Sequence, residues 1–176
     1  MIVLVDVDGT VADINVPWLG MYNADYHDRL TLAHITKWEM HELVKPECGR
    51  KIYKYLEDPK LYEKAPVIEG ALNGVNTLRK MGHEIVFVSA GFYFSKVEWL
   101  GKYGFLSSDD WRNAEDVVIA SNKGLIKGDV IIDDYPKNLD RAGAFMKILF
   151  RRPWNVGSRY QGRNWEEIVQ MRCFER

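Results

Sequence analysis

The chain reads as an α/β protein: a doubly wound parallel sheet with a small helical segment inserted after the first strand. Three observations predict this. Short, near-continuous apolar runs rich in β-branched residues recur along the chain, as strands buried on both faces require. Stretches with apolar residues three and four apart lie between them, and one early region breaks the alternation.

Taken in order, the apolar runs are IVLVDV at 2–7, EIVFVSA at 84–90, VVIA at 117–120, DVIIDD at 129–134 and KILF at 147–150. Between the first two strands, ALNGVNTLRKMGH spaces Ala71, Val75, Leu78 and Met81 for one helical face, with Gly82 as a stop. FYFSKVEWLGKYGF does the same through Val97, Leu100 and Tyr103. Both are expected to be crossover helices. The region 14–66 is instead crowded with aromatic and charged residues and reads as several short helices, with DRLTLAHITKWE as a turn or loop. The core is therefore assigned to 1–13 and 67–176, and a helical cap to 14–66, standing over the carboxyl ends of the strands. That edge of an open α/β sheet is where ligands bind.

A chain of 176 residues, 47% of them hydrophobic, can bury one substantial core but not two large ones. Its 24 Lys and Arg balance 25 Asp and Glu, which argues against a broad basic face for nucleic acid and leaves room only for a local basic pocket. Cys48 and Cys173 have no metal-ligand spacing and are expected to be reduced thiols. The apolar start is broken at Asp6, far short of the ~20 residues of a membrane span. A soluble, cytoplasmic protein is expected.

The chemistry concentrates at the strand ends. In DVDGT, side-chain alternation would turn Asp6 and Asp8 to the same side, and Gly9 permits a sharp turn. Two carboxylates that close favour a shared cation or proton. DVIIDD delivers Asp133 and Asp134 to the same edge. Oxygen donors without His or Cys suit a hard ion, and Mg²⁺ typically binds few carboxylates together with a substrate phosphate. VSAG supplies the Ser89 hydroxyl and the N–H groups of Ala90 and Gly91, a turn that can cradle an anion, and SNKG supplies Lys123 as a point charge for phosphate oxygens.

In order and spacing, DVDGT, VSAG, Lys123 and IIDD resemble the four motifs of the haloacid dehalogenase-like (HAD) phosphatase superfamily, whose core is Rossmann-like. The resemblance implies Asp6 as the nucleophile that forms an aspartyl-phosphate, and Asp8 as general acid and base and a backbone-carbonyl metal ligand. It implies Ser89 and Lys123 as phosphate clamps. The Mg²⁺ site would comprise Asp6, Asp8, Asp133 and Asp134, with Asp133 the direct ligand of the last pair and Asp134 direct or through water. Superfamily members often pair, so a homodimer is also implied. DVDGTVAD, ITKWE, KGLIKGDVIIDDYPKN and ILFRRPWN are similar to the cytosolic 5′(3′)-deoxyribonucleotidase branch, with Thr10 where that branch often carries Val. A deoxynucleoside monophosphate is then the expected substrate.

A base needs a flat apolar wall, and Trp18, Trp38 and Phe92 are the candidates for it. Another small phosphoester, such as a sugar phosphate, would use the same chemistry. A phosphate-binding module without turnover would have lost Asp6 or Asp8, and both are present. Several residues carry plainer readings: Asp13 as an exposed helix N-cap, and Trp99, Trp111 and Trp165 as packing residues. His27, His34, His41 and His83 lack ligand spacing, and Arg151 and Arg152 face either substrate or solvent.

Overall fold

The computed structural model describes residues 1–108 and 114–175, so the expectation for Trp111 lies outside the described residues. Six strands form one sheet: β1 (Ile2–Val5), β2 (Glu84–Ser89), β3 (Val117–Ile119), β4 (Val130–Asp133), β5 (Met146–Phe150) and β6 (Gly162–Arg163). Every pairing is parallel, in the order β3-β2-β1-β4-β5-β6. All five predicted strands are present, with ends that differ by one or two residues. The sixth, two residues long, has no apolar pattern to announce it.

Alternation along the strands sorts side chains into two layers. Val3, Val5, Phe87, Ile132 and Phe150 face the larger core, shared with Val75 and Leu78 of α3 (Ala71–Lys80), Val97 and Leu100 of α4 (Tyr93–Lys102), and Trp165 and Ile168 of α6 (Trp165–Val169). Leu4, Val88, Ile131 and Leu149 face a smaller one, closed by Leu139 of α5 (Pro136–Arg141) with Ala142 and Ala144. Covering on both faces is what made the strands legible as continuous apolar runs.

Gly74 has a packing reason to sit mid-helix. A Cβ there would lie 2.5 Å from Cε3 of Trp165, so α3 and α6 meet as closely as they do only over a glycine. Trp165 is anchored in turn by its indole N–H, which donates to the Thr10 carbonyl at 2.9 Å. Trp99 is likewise buried and donates to the Ala65 carbonyl at 2.9 Å.

Between β1 and α3 the chain adds no strand to the sheet. It forms α1 (Asn15–Tyr26), 3-10 turns at Leu32–His34, Met40–Glu42 and Gly49–Glu57, and α2 (Lys60–Glu63). DRLTLAHITKWE is largely irregular, as expected, with one 3-10 turn inside it. The segment leaves and rejoins the core at one place: the Asp13 N–H donates to the Pro66 carbonyl and the Ile68 N–H to the Val11 carbonyl, each at 2.9 Å. Asp13 does not cap α1. The position before that helix is Ile14, and Asp13 is buried against Arg152, whose guanidinium reaches both its oxygens at 2.8 Å. A buried carboxylate needs such a partner, and the partner comes from beyond β5. Arg151 instead faces solvent and pairs with Glu167. Cys48 and Cys173 are free thiols. Among the described residues no helix is long and apolar enough to cross a membrane.

Candidate active site

The chain runs outward from β1 through β2 to β3, then crosses back to β4 beside β1, so the order reverses between β1 and β4. Val5 is in register with Ile132, and the next residues, Asp6 and Asp133, emerge together at that edge. The Asp6 N–H still donates to the Ile132 carbonyl at 2.9 Å, which holds its side chain at the tip. Gly9 completes the turn with φ of 78°, and a Cβ there would fall 2.3 Å from Oδ2 of Asp134. Glycine is thus demanded twice in DVDGT, by backbone conformation and by the approach of Asp134.

Asp6, Asp133 and Asp134 are all buried, and each offers an oxygen within 4.8 Å of the others. Lys123 stands among them on a 3-10 turn, Lys123–Leu125, whose first residues are tied by the Asn122 side chain. Its ammonium is 2.6 Å from Oδ1 of Asp6 and 2.6 Å from Oδ2 of Asp133. Burial pushes the Lys123 ammonium down, but the Asp6 and Asp133 carboxylates outweigh it and hold it above the ordinary lysine value. Burial pushes the Asp6 carboxyl up to about 7, against the pull of Lys123 and with help from Asp133 and Asp8. Asp134 is driven well above the usual carboxylate range by burial and then by Asp6 and Asp133.

The acidic pair on β4 divides its work in a way the sequence does not reveal. Asp133 accepts from Lys123, from the Tyr135 N–H at 2.8 Å and from the Asn138 amide at 3.1 and 3.2 Å. Asp134 accepts from the Trp154 indole at 3.1 Å through Oδ2, while its buried Oδ1 has no hydrogen-bond partner among the described residues. The open oxygen therefore belongs to Asp134 rather than Asp133. An orphaned buried carboxylate oxygen beside two further carboxylates fits a hard cation such as Mg²⁺.

Asp8 points away from this cluster. Its carboxylate accepts from Tyr62 and Lys96, with the Ser89 hydroxyl 3.5 Å away. Ser89, at the end of β2, also accepts from Lys96 at 2.7 Å. Ala90 and Gly91 lie exposed just beyond it, Gly91 with φ of 91°. Sequence reasoning singled out neither Lys96 nor Tyr62. A lysine on a helix reads as a solvated residue, and Tyr62 is one of many aromatic residues in its region.

A cavity of about 440 Å³ opens between the strand tips and the inserted segment. Asp8, Lys96 and Asp134 lie at its polar end, and Trp18, Trp38 and Phe92 all line it, with Ile35, Met40 and Leu61. The three aromatic candidates differ in state. Trp18 is buried and its indole N–H donates to the Ile52 carbonyl at 2.8 Å. Trp38 is half covered by Tyr135, stacked at 3.9 Å between ring centroids, and Phe92 is exposed.

A parallel sheet of this order with acidic residues at adjacent strand tips is the fold of haloacid dehalogenase-like hydrolases. The chain belongs, more narrowly, to the family described as 5′ nucleotidase, deoxy (pyrimidine), cytosolic type C, whose model matches residues 1–175. It is a phosphoric monoester hydrolase. It is 32% identical over 172 residues to a 5′(3′)-deoxyribonucleotidase of Clostridium acetobutylicum, covering 93% of this chain and 89% of that one. A 5′(3′)-deoxyribonucleotidase of Bacillus subtilis is 30% identical over 174 residues, covering 95% of each. Among solved structures, the HAD-hydrolase YfnB of Bacillus subtilis bound to magnesium shares the fold with a TM-score of 0.57 at 14% identity, over 97% of this chain and 98% of that one.

Proposed function

We propose that this protein is a Mg²⁺-dependent, cytoplasmic phosphomonoesterase that hydrolyses deoxynucleoside 5′-monophosphates through an aspartyl-phosphate on Asp6. The observation that carries the reading is the buried cluster of Asp6, Lys123 and the unsatisfied Asp134 oxygen, with Asp134 also lining, beside Asp8 and Lys96, an apolar cavity. The core would comprise 1–13 and 67–176, and residues 14–66 would form the cap that supplies the wall for the base.

Oδ1 of Asp6 is held by Lys123 and by the Val7 N–H at 2.8 Å, so Oδ2 is the oxygen that attacks phosphorus. The new O–P bond forms as the ester P–O bond breaks, and the electron pair leaves with the ester oxygen. Asp8 gives that oxygen its proton, and the nucleoside departs. In the second step Asp8 takes a proton from water, whose oxygen attacks phosphorus and returns the Asp6 carboxylate. Ser89, Lys123 and the N–H groups of Ala90 and Gly91 hold the phosphoryl oxygens and stabilise their charge. Asp6, the Asp8 carbonyl and Asp134 would hold the Mg²⁺, with Asp133 orienting Lys123. The ion, when bound, neutralises charge on phosphoryl oxygens and removes the repulsion among these carboxylates.

The test is phosphate release from a panel of deoxynucleotides, ribonucleotides, sugar phosphates and simple aryl phosphates with Mg²⁺, for the wild type and Asp6→Asn. Turnover strongest with deoxynucleotides and lost in Asp6→Asn is expected. Equal rates across the panel would remove the nucleotide assignment, and turnover by Asp6→Asn would remove the nucleophile.

A further inference from the structure

The Asp8 carboxylate is gripped at both oxygens by two side chains from different parts of the chain. Tyr62, on α2, donates its hydroxyl to Oδ1. Lys96, on α4, donates to Oδ2 and to the Ser89 hydroxyl, and its ammonium stands 5.4 Å over the centre of the Tyr62 ring. Lys96 is only 3% exposed and Tyr62 only 7%. Burying an ammonium so fully costs several kcal/mol unless an opposite charge meets it, and Asp8 is the group that does. A helix position that served packing alone would carry an apolar residue instead.

The end torsion of an aspartate is soft, so an unrestrained carboxylate samples many orientations. Proton delivery needs the carboxyl oxygen within about 3 Å of the ester oxygen. Each carboxylate oxygen has two lone-pair sites, and Oδ1 accepts from Tyr62 alone, which leaves a site open there for the travelling proton.

We propose that Tyr62 and Lys96 are positioning residues that fix the Asp8 carboxylate toward the cavity, so that proton delivery depends on a tyrosine contributed by the inserted segment. Neither gives up a proton during turnover. The inference rests on the reading of Asp8 as the proton shuttle, and the experiment separates the two.

A nitrophenolate leaves without help from a proton, whereas the alkoxide of a nucleotide does not. Loss of positioning should therefore appear with one ester and not the other. For Tyr62→Phe, which keeps the ring under Lys96, kcat/KM on a deoxynucleoside 5′-monophosphate should fall roughly tenfold or more, through kcat with KM little changed. On 4-nitrophenyl phosphate kcat/KM, which reports only the step that expels the leaving group and not the later attack of water, should stay within about twofold. Inhibition by inorganic phosphate should be unaltered, which shows the phosphate cradle intact. Lys96→Met should show the same split. Equal losses of kcat/KM on both esters, no loss on either, or a rise in KM alone would overturn the inference. Asp8→Asn is run beside them: wild-type rates on both esters would overturn the shuttle itself. Selective loss in Asp8→Asn without it in Tyr62→Phe and Lys96→Met would overturn only the clamp.

Discussion

The Lys123 ammonium lies 2.6 Å from Oδ1 of Asp6, with both groups buried. The same ammonium reaches Asp133 at the same distance, so a single cation braces the tips of β1 and β4 from the third strand's loop. This arrangement fixes Oδ1 of Asp6 and, under the proposed mechanism, leaves Oδ2 to attack phosphorus.

Lys123→Met should abolish most activity and weaken the fold. Removing the cation leaves buried carboxylates without their internal partner, at a cost of about 3 kcal/mol. The rate should fall by roughly a hundredfold or more, the usual penalty for losing a preorganised charge at a reacting centre. Steady-state kinetics and urea unfolding measure the two effects. Wild-type stability in this variant would mean that the three carboxylates do not depend on Lys123.

Metal binding should be strongly pH-dependent. The Asp6 carboxyl is raised to about 7 by burial first, with Lys123 opposing and Asp133 and Asp8 assisting. A raised carboxyl keeps its proton in the folded, metal-free chain after the unfolded chain has lost it. The contribution of Asp6 to the stability of the metal-free protein therefore falls as pH rises from about 4 to about 7 and is level above. Mg²⁺ binds the ionised form and reverses the loss. Its apparent affinity should drop about tenfold per pH unit below about 7, and the rise in Tm it causes should be large at pH 8 and small at pH 5. A Tm shift independent of pH contradicts this.

Trp154→Phe should loosen the metal site without dismantling it. The indole N–H is the donor to Oδ2 of Asp134 at 3.1 Å, and its loss frees a carboxylate that the turn otherwise aims. The Mg²⁺ concentration for half-maximal activity should rise about tenfold, with kcat at saturating Mg²⁺ largely kept. An unchanged Mg²⁺ requirement would show that Asp134 is oriented by other groups.

Gly74→Ala runs against ordinary helix expectations. Alanine in a helix interior is worth about 1 kcal/mol over glycine. Here its methyl would lie 2.5 Å from Cε3 and 3.0 Å from Cδ2 of Trp165, an indole pinned to the Thr10 carbonyl. Overpacking of that kind costs about 1–3 kcal/mol, so a net loss of stability is expected in thermal or urea unfolding. A gain would mean that Trp165 can shift.

The strands and their acidic tips were legible because burial on both faces strips polar residues from a strand, and carboxylates at its end then stand out. Asp6, Ser89, Lys123 and Asp133 are each visible in this way. The support around them is not. Lys96 has the same letter context as a solvated helix lysine, and only the fold turns it inward onto Asp8. Asp13 reads as a cap because its partner Arg152 lies 139 positions away. The contrast between Asp133 and Asp134 depends on the Tyr135 N–H and the Asn138 amide, which a turn brings to one carboxylate and not the other. Periodicity and strand-end chemistry are local signals, whereas these partnerships are made by topology.

The two backbone bonds that join Asp13 to Pro66 and Val11 to Ile68 form a waist where the inserted segment meets the rest of the chain. Everything between those two bonds lies outside the sheet, although Trp18, Tyr22, Ile52 and Leu61 pack into the larger core. A laboratory could therefore graft a foreign segment between these anchors and ask for new substrates while the phosphorus chemistry stays in place. Such a graft would need to bring its own tyrosine to Asp8.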